Sequence, residues 1–132
     1  MAKQELRNRK LNAPLGVFSQ ATKIEAQGSL VFVSGLTSRD ADGNVVGVGD
    51  VKKQTETILE NMQIILKDGG GSLEDVTKVT VYIRDMKDFD AIHEVRRRYF
   101  KPPLPASTMV EVSMLVSPEL LIEIEAIAVI PR

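Results

Sequence analysis

Residues 120–130, near the C-terminus, constrain the fold most, because they alternate in the manner of a β-strand with two different faces. Ile122 and Ile124 fall on one face of this strand. Glu123 and Glu125 project from the opposite face, between apolar neighbours. The apolar face needs a covering layer, so the sequence predicts a sheet with helices packed on one side.

Two amphipathic helices can supply that layer. Asp50 is a suitable N-cap for the first, whose apolar side chains recur at helical spacing until glycines 69–71 end the pattern. Asp88 caps the second helix in the same way. The second helix ends in arginines 96–98, which complement the helix dipole, and we interpret all three as a solvated helix end.

Five further segments carry the composition of strands, and the proline-rich residues 101–105 form a connector. The first two strands are expected to pair as a hairpin. The predicted order is β-β-(β)-α-β-α-β-β, which is an α+β fold with a mostly antiparallel sheet and two helices on one face. The predicted strands are residues 18–25, 30–35, 75–84, 108–114 and 120–130, with a short edge strand at 45–48.

The length of 132 residues fits a single domain over residues 1–132, in which residues 1–11 form a polar N-terminal arm. That arm is not followed by an apolar segment, so we expect no secretory signal. No apolar run approaches the roughly 20 residues that cross a bilayer. We therefore expect a cytoplasmic protein without a membrane partner.

Composition excludes several kinds of chemistry. The chain has no cysteine and one histidine, His93, so we expect no thiol catalysis and no metal site. Its 17 basic and 18 acidic residues give a net charge of -1, which disfavours nucleic acid as a partner.

The two carboxylates of the last strand are candidates for general acid–base chemistry. A carboxyl group among apolar neighbours has a raised pKa, which would suit such a role for one of them, but a solvated strand face is the alternative. His93 lies at the edge of the apolar stripe of the second helix. It could move a proton or orient a substrate carboxylate, or it could be a boundary histidine bonded locally.

Two short polar pairs could bind a small ligand. Ser34 and Gly35 close a strand, where a hydroxyl group and an accessible backbone are available. Ser107 and Thr108 open another strand, where backbone N–H groups could donate to an anion. Neither serine is predicted to be a nucleophile, because no second histidine is present to serve as its base.

The sheet face that the helices leave uncovered still carries apolar side chains, which predicts self-association into a closed ring. Composition alone does not decide between a dimer and a trimer.

Taken together, six segments resemble the reactive intermediate deaminase family, known as RidA or YjgF and formerly as L-PSP endoribonucleases. They occur in the family's order from about residue 12 to the end. The segments are residues 16–21 (GVFSQA), 33–35 (VSG), 50–61, 79–86 (VTVYIRDM), 105–112 (PASTMVEV) and 122–129 (IEIEAIAV).

The resemblance implies a chorismate-mutase-like fold and a homotrimer with small-molecule sites between adjacent subunits. It also implies hydrolysis of enamines or imines to ketones and ammonia without a cofactor. In that scheme Glu123 positions the attacking water, while Phe18, Ser34 and Gly35 line the pocket.

Three positions depart from the family's pattern. Ser107 stands where well-characterised members carry an arginine that clamps a substrate carboxylate, His93 where they commonly carry asparagine, and Phe18 where they commonly carry tyrosine. A hydroxyl group cannot replace a guanidinium, so weak activity on simple 2-imino acids is expected, and Ser107→Arg is expected to raise it. If another group supplies the clamp, Arg39 and Arg84 are the candidates.

The favoured function is deamination of a conjugated acid such as 2-aminomuconate, with His93 and Glu123 as the catalytic pair and Ser107 and Thr108 binding substrate. The alternative is a non-catalytic trimer that binds a metabolite or a partner protein in the same cleft.

Overall fold

A four-stranded sheet with two helices on one face forms the body of the protein, and a two-stranded sheet lies beside it. The computed structural model describes residues 3–132. The elements are β1 (Lys3–Leu6), β2 (Ala21–Ile24), β3 (Gly28–Leu36), α1 (Val51–Asp68), β4 (Val76–Ile83), α2 (Phe89–Tyr99), β5 (Ala106–Glu111) and β6 (Ile122–Pro131).

The main sheet has the strand order β3-β6-β4-β5. Strand β6 is antiparallel to both of its neighbours, β3 and β4, whereas β5 is parallel to β4 at the sheet edge. The predicted α+β architecture, with a mostly antiparallel sheet and two helices, is confirmed.

The alternation of β6 is also as predicted. Ile122 and Ile124 are buried in the core between the sheet and the helices. Glu123 and Glu125 are half-buried on the opposite side of the sheet, which we call the open face. Strand β3 follows the same rule, because Val33 belongs to the core and Phe32, on the open face, is 71% exposed.

The sequence-predicted cap of α1 is present, and a buried glutamine ties this helix to the sheet. The Asp50 carboxylate accepts a hydrogen bond of 3.0 Å from the Lys53 amide. Gln54, fully buried, donates to the carbonyls of Gly47 and Glu119, while its own side-chain oxygen accepts from the Leu121 amide. These bonds fix the start of β6, from which Glu123 projects.

The predicted first hairpin is wrong. Strand β2 is shorter than expected and pairs with β1, which forms within the segment predicted to be a polar arm, and not with β3. Side chains anchor this small sheet: Lys3 Nζ donates to the carbonyls of Glu74 and Val76, and Thr22 donates to the Thr77 carbonyl. Residues 1 and 2 of the predicted arm lie outside the described residues.

The edge strand predicted at residues 45–48 is not formed. One isolated bridge joins Arg39 and Val45, and a turn closes because the Asp40 carboxylate accepts from the Asn44 amide. Gly47, inside the predicted strand, has a φ angle of 79°, far from the extended conformation of a regular strand.

Two other boundaries also differ. Asp88 occupies the N-cap position of α2, but its side chain makes no capping hydrogen bond. Asp85 instead caps a preceding 3-10 turn by accepting from the Lys87 amide at 2.9 Å. The strand predicted at 108–114 is β5, two residues earlier at its start and three at its end.

Candidate functional site

Three of the predicted site residues meet in a small cavity between α2 and the edge strand β5. Phe18, His93 and Ser107 line this cavity of about 180 Å³ together with apolar side chains. We call it the His93 cavity; its remaining lining residues are Leu15, Phe89 and Met109.

Strand pairing brings these residues together. In the parallel β4–β5 register Val79 lies opposite Ser107, and Val79 is buried under the helices, so Ser107 also points to the helix-covered side. Ser19 pairs with Ala106 and donates its hydroxyl to the Leu104 carbonyl, which holds the preceding Phe18 beside the start of β5.

The imidazole of His93 forms part of the cavity wall and is buried and neutral. Its Nδ1 lies 3.0 Å from the Phe89 carbonyl oxygen, which can only accept, so Nδ1 carries the proton. Burial lowers the pKa of His93 below 6.5, and the charges of Arg96 and Arg97 add to that effect against the opposing hydrogen bond to Phe89. The protonated form that the sequence-based hypothesis requires is therefore disfavoured.

The interpretation of arginines 96–98 as a solvated helix end is wrong for Arg96. Its side chain is 1% exposed, while Arg97 and Arg98 are exposed as predicted. Arg96 Nη2 donates to the Val17 carbonyl at 3.2 Å and to Ser107 Oγ at 3.1 Å. Arg96 follows His93 by three residues, a spacing that places both on the same face of the helix. The run of three arginines favoured a solvated helix end instead.

Glu123 lies elsewhere, on the open face. The pairing of β3 with β6 shifts register between Val33 and Leu36, and the predicted residues Ser34 and Gly35 form the irregularity. A methyl group added at Gly35 would overlap the Glu123 carboxylate, so this glycine makes room for it.

The two carboxylates of β6 differ in their surroundings. Tyr82 donates its hydroxyl to Glu125 at 2.7 Å, and this hydrogen bond raises the pKa of Tyr82. Within residues 3–132 no hydrogen bond or ion pair engages the Glu123 carboxylate. Glu123 is thus the carboxylate left available for a ligand or water.

Thr108 belongs to the open face as well. Its hydroxyl accepts from Lys78 Nζ at 2.8 Å, and it points away from the side that Ser107 faces. A single chain therefore divides the predicted site residues into two half-sites: the His93 cavity, and the open face with Glu123, Ser34 and Gly35.

Sequence reasoning also missed the role of Gly16, which lies against the His93 ring. A methyl group at this position would overlap the His93 ring. The only signal was its place in the segment that resembles the family.

No group of three or more His, Asp or Glu side chains within residues 3–132 is arranged to hold a metal ion. None of the helices in that range is long and apolar enough to cross a membrane.

The lowered pKa of His93 predicts a histidine-dependent loss of stability in acid. The unfolded chain binds a proton near the ordinary pKa of 6.5, while the folded chain resists protonation, so the free energy of unfolding falls as the pH drops through this range. Urea unfolding of wild type and His93→Asn, from about pH 8 to about pH 5, measures this effect. The wild type should lose more stability than the variant; parallel pH profiles would contradict the buried neutral state.

Comparison with known proteins gives consistent matches over nearly the whole chain. The family described as Endoribonuclease L-PSP matches residues 9–130. A relative from Acinetobacter baylyi, named 3-aminoacrylate deaminase RutC, is 42% identical over 115 residues, which cover 87% of this chain and 88% of that protein. A relative from Dermatophagoides farinae, named 2-iminobutanoate/2-iminopropanoate deaminase, is 32% identical over 117 residues, covering 89% of this chain and 88% of that protein.

A similar fold has been solved by crystallography. A protein of unknown function from Yersinia pestis, assigned to the conserved Rid protein family, superposes with a TM-score of 0.89. The match covers 98% of this chain and 100% of that one, at 26% sequence identity.

Proposed function

Since the chain belongs to the Endoribonuclease L-PSP family, we propose that it hydrolyses small enamines or imines and releases ammonia. Two relatives that cover most of the chain bear the names of deaminases for an enamine and for imines. The observation that carries the proposal is the free Glu123 carboxylate, which lies beside a glycine that leaves space around it.

Glu123 is the group suited to move protons. Its carboxylate takes a proton from water as the oxygen attacks the imine carbon, and it returns that proton to the nitrogen to give a carbinolamine. The carboxylate then transfers the hydroxyl proton of the carbinolamine to the nitrogen, so that the C–N bond breaks and a ketone or aldehyde and ammonia are released. An enamine enters the same route after protonation at carbon gives the imine. No cofactor is required, because the reaction exchanges C=NH and water for C=O and ammonia.

His93 contributes to this reaction as part of the cavity wall. Its Nδ1–H is bonded to Phe89 and its Nε2 faces Arg96 at 3.5 Å, so neither ring nitrogen is free to exchange a proton with substrate. The apolar part of a substrate would lie against Phe18, which is 6.4 Å from the His93 ring between centroids.

The active unit in this proposal is a homotrimer with sites between subunits. The two half-sites lie on opposite sides of the sheet, so one neighbour cannot contact both of them at once. A head-to-tail contact between the half-sites that closes on itself forms a ring, and we propose a ring of three subunits, the smallest of this kind. Burial of the open face, where Leu30 and Phe32 are 59% and 71% exposed, would stabilise it.

Within the enamines and imines, the carbon skeleton distinguishes the candidate substrates. We retain a conjugated acid such as 2-aminomuconate as the favoured substrate. Comparing ammonia release from 2-aminomuconate, 3-aminoacrylate and 2-iminobutanoate above their spontaneous rates would rank the three. No release above background from any of them would contradict the enzymatic proposal.

Mixed oligomers test the shared site directly. Glu123→Gln removes the carboxylate of one half-site, and Ser107→Phe fills the cavity of the other, so each variant alone should be inactive. When the two are unfolded and refolded together in equal amounts, about a quarter of the sites should pair two intact halves and recover activity. Refolding the two variants separately before mixing provides the control. If activity stays at the level of that control, each chain carries its own site.

A further inference from the structure

Within the described part of the chain, Arg96 is a buried cation without an anionic partner. Among residues 3–132, the groups that accept hydrogen bonds from its guanidinium are neutral: the Val17 carbonyl, Ser107 Oγ and His93 Nε2. Ion pairs in the same range join other residues, all of them at the surface. Burying a charge without an opposite charge is costly, so an anion that approached this guanidinium would offset part of that cost.

The charge lies directly behind the wall of the His93 cavity. Ser107 lines the cavity and accepts from Arg96 Nη2 at 3.1 Å through its Oγ, whereas Arg96 is not among the lining residues. Because Ser107 accepts from Arg96, the hydroxyl hydrogen of Ser107 cannot point towards the guanidinium. It is left free to donate to an oxygen atom of a bound molecule.

We propose that Arg96 and Ser107 form a carboxylate-recognition pair in the His93 cavity. The Ser107 hydroxyl donates to a carboxylate oxygen of the substrate, and the Arg96 guanidinium, polarising that hydroxyl from behind, supplies the compensating positive charge. Arg96 is thus a positioning residue that acts through Ser107. The proposal rests on the proposed function in one respect, because it takes the cavity to be the substrate site.

This pair changes the interpretation of Ser107. From the sequence, the serine indicates that a carboxylate clamp is lost. In the structure a guanidinium lies directly behind Ser107, supplied by helix α2 and not by strand β5. Neither Arg39 nor Arg84, the two alternatives suggested by the sequence, lines this cavity.

A purely structural role for Arg96 makes a different prediction. If the side chain only ties α2 to the segment that contains Val17, its removal should weaken the binding of any ligand, charged or neutral. A recognition role affects only charged ligands. The ratio of affinities for a carboxylate and its uncharged amide therefore separates the two roles.

The experiment measures the binding of 2-oxobutanoate and 2-oxobutanamide by calorimetry, without turnover. The wild type should prefer the carboxylate, and Arg96→Met should weaken carboxylate binding by about tenfold or more while leaving amide binding unchanged. Arg97→Met, which removes an exposed arginine from the same helix, is the matched control and should behave as the wild type. Ser107→Ala, a small change, should also reduce the preference and covers the case in which Arg96→Met does not fold.

Each outcome decides the proposal. Absence of carboxylate binding by the wild type, an equal affinity for both ligands, or a parallel loss of both in Arg96→Met would overturn the pair. Failure of the proposed function is recognised separately. A wild type that prefers the carboxylate but releases no ammonia keeps the recognition pair and loses the deaminase activity.

Discussion

Glu123→Gln is expected to lower catalysed ammonia release by about 10²- to 10⁴-fold, the range typical of a lost general acid–base group. The amide keeps the size of the side chain but cannot take a proton from water. The fold should be unaffected, because within residues 3–132 the carboxylate makes no hydrogen bond that the amide would lose. Steady-state rates on 3-aminoacrylate or 2-iminobutanoate, with thermal unfolding as the check on folding, would measure the effect.

Glu125→Gln is the matched control for this substitution. It lies two residues along the same face of β6, and its side-chain oxygen can still accept the Tyr82 hydroxyl. We expect turnover close to that of the wild type. An equal loss of ammonia release in both variants would contradict this role of Glu123. It would show that activity depends on the total negative charge of the open face and not on the carboxylate at position 123.

The features that could be predicted from the sequence are those governed by local periodicity. The alternation of Ile122 and Glu123 defines the faces of β6, the Asp50 cap defines the start of α1, and apolar stripes define both helices, because each of these signals depends on neighbours within a turn or two. The resemblance to the RidA family, carried by residues spread along the chain, is confirmed by the match over residues 9–130.

Strand partners were less predictable because they depend on residues distant in the sequence. Strand β2 precedes β3 directly, which favours a hairpin, yet it pairs with β1. The decisive contacts are the bonds from Lys3 and Thr22 to the β4 region, more than 50 residues away. No pattern in the neighbouring sequence predicts these long-range hydrogen bonds.

Two local sequence rules give opposite predictions for Arg96. Arginines at a helix C-terminus complement the dipole, and this rule correctly describes Arg97 and Arg98. Helical spacing places Arg96 one turn after Ile92, which is fully buried, and packing decided its position. The side of the sheet that Ser107 faces could not be predicted either. Alternation shows which residues of β5 share a face, but not which face meets the helices.

The same arrangement reverses the expected effect of restoring an arginine at Ser107. Ser107 Oγ is 3.1 Å from Arg96 Nη2, so Ser107→Arg would bring a second guanidinium against a buried one. Like charges about 4 Å apart repel by about 4 kcal/mol at the effective dielectric constant of a protein. We therefore expect Ser107→Arg alone to lower the free energy of unfolding by about 2–4 kcal/mol and to reduce activity on 2-iminobutanoate.

The double variant Arg96→Met/Ser107→Arg should recover much of that loss. It keeps one guanidinium at the cavity, now carried by β5, and removes the repulsion as well as the buried charge behind it. Denaturant unfolding and ammonia release for wild type, both single variants and the double variant form a double-mutant cycle. The two substitutions should be strongly non-additive, with the double variant more stable and more active than Ser107→Arg. Additive effects, or a gain of activity in Ser107→Arg alone, would show that Arg96 does not supply the positive charge at this position.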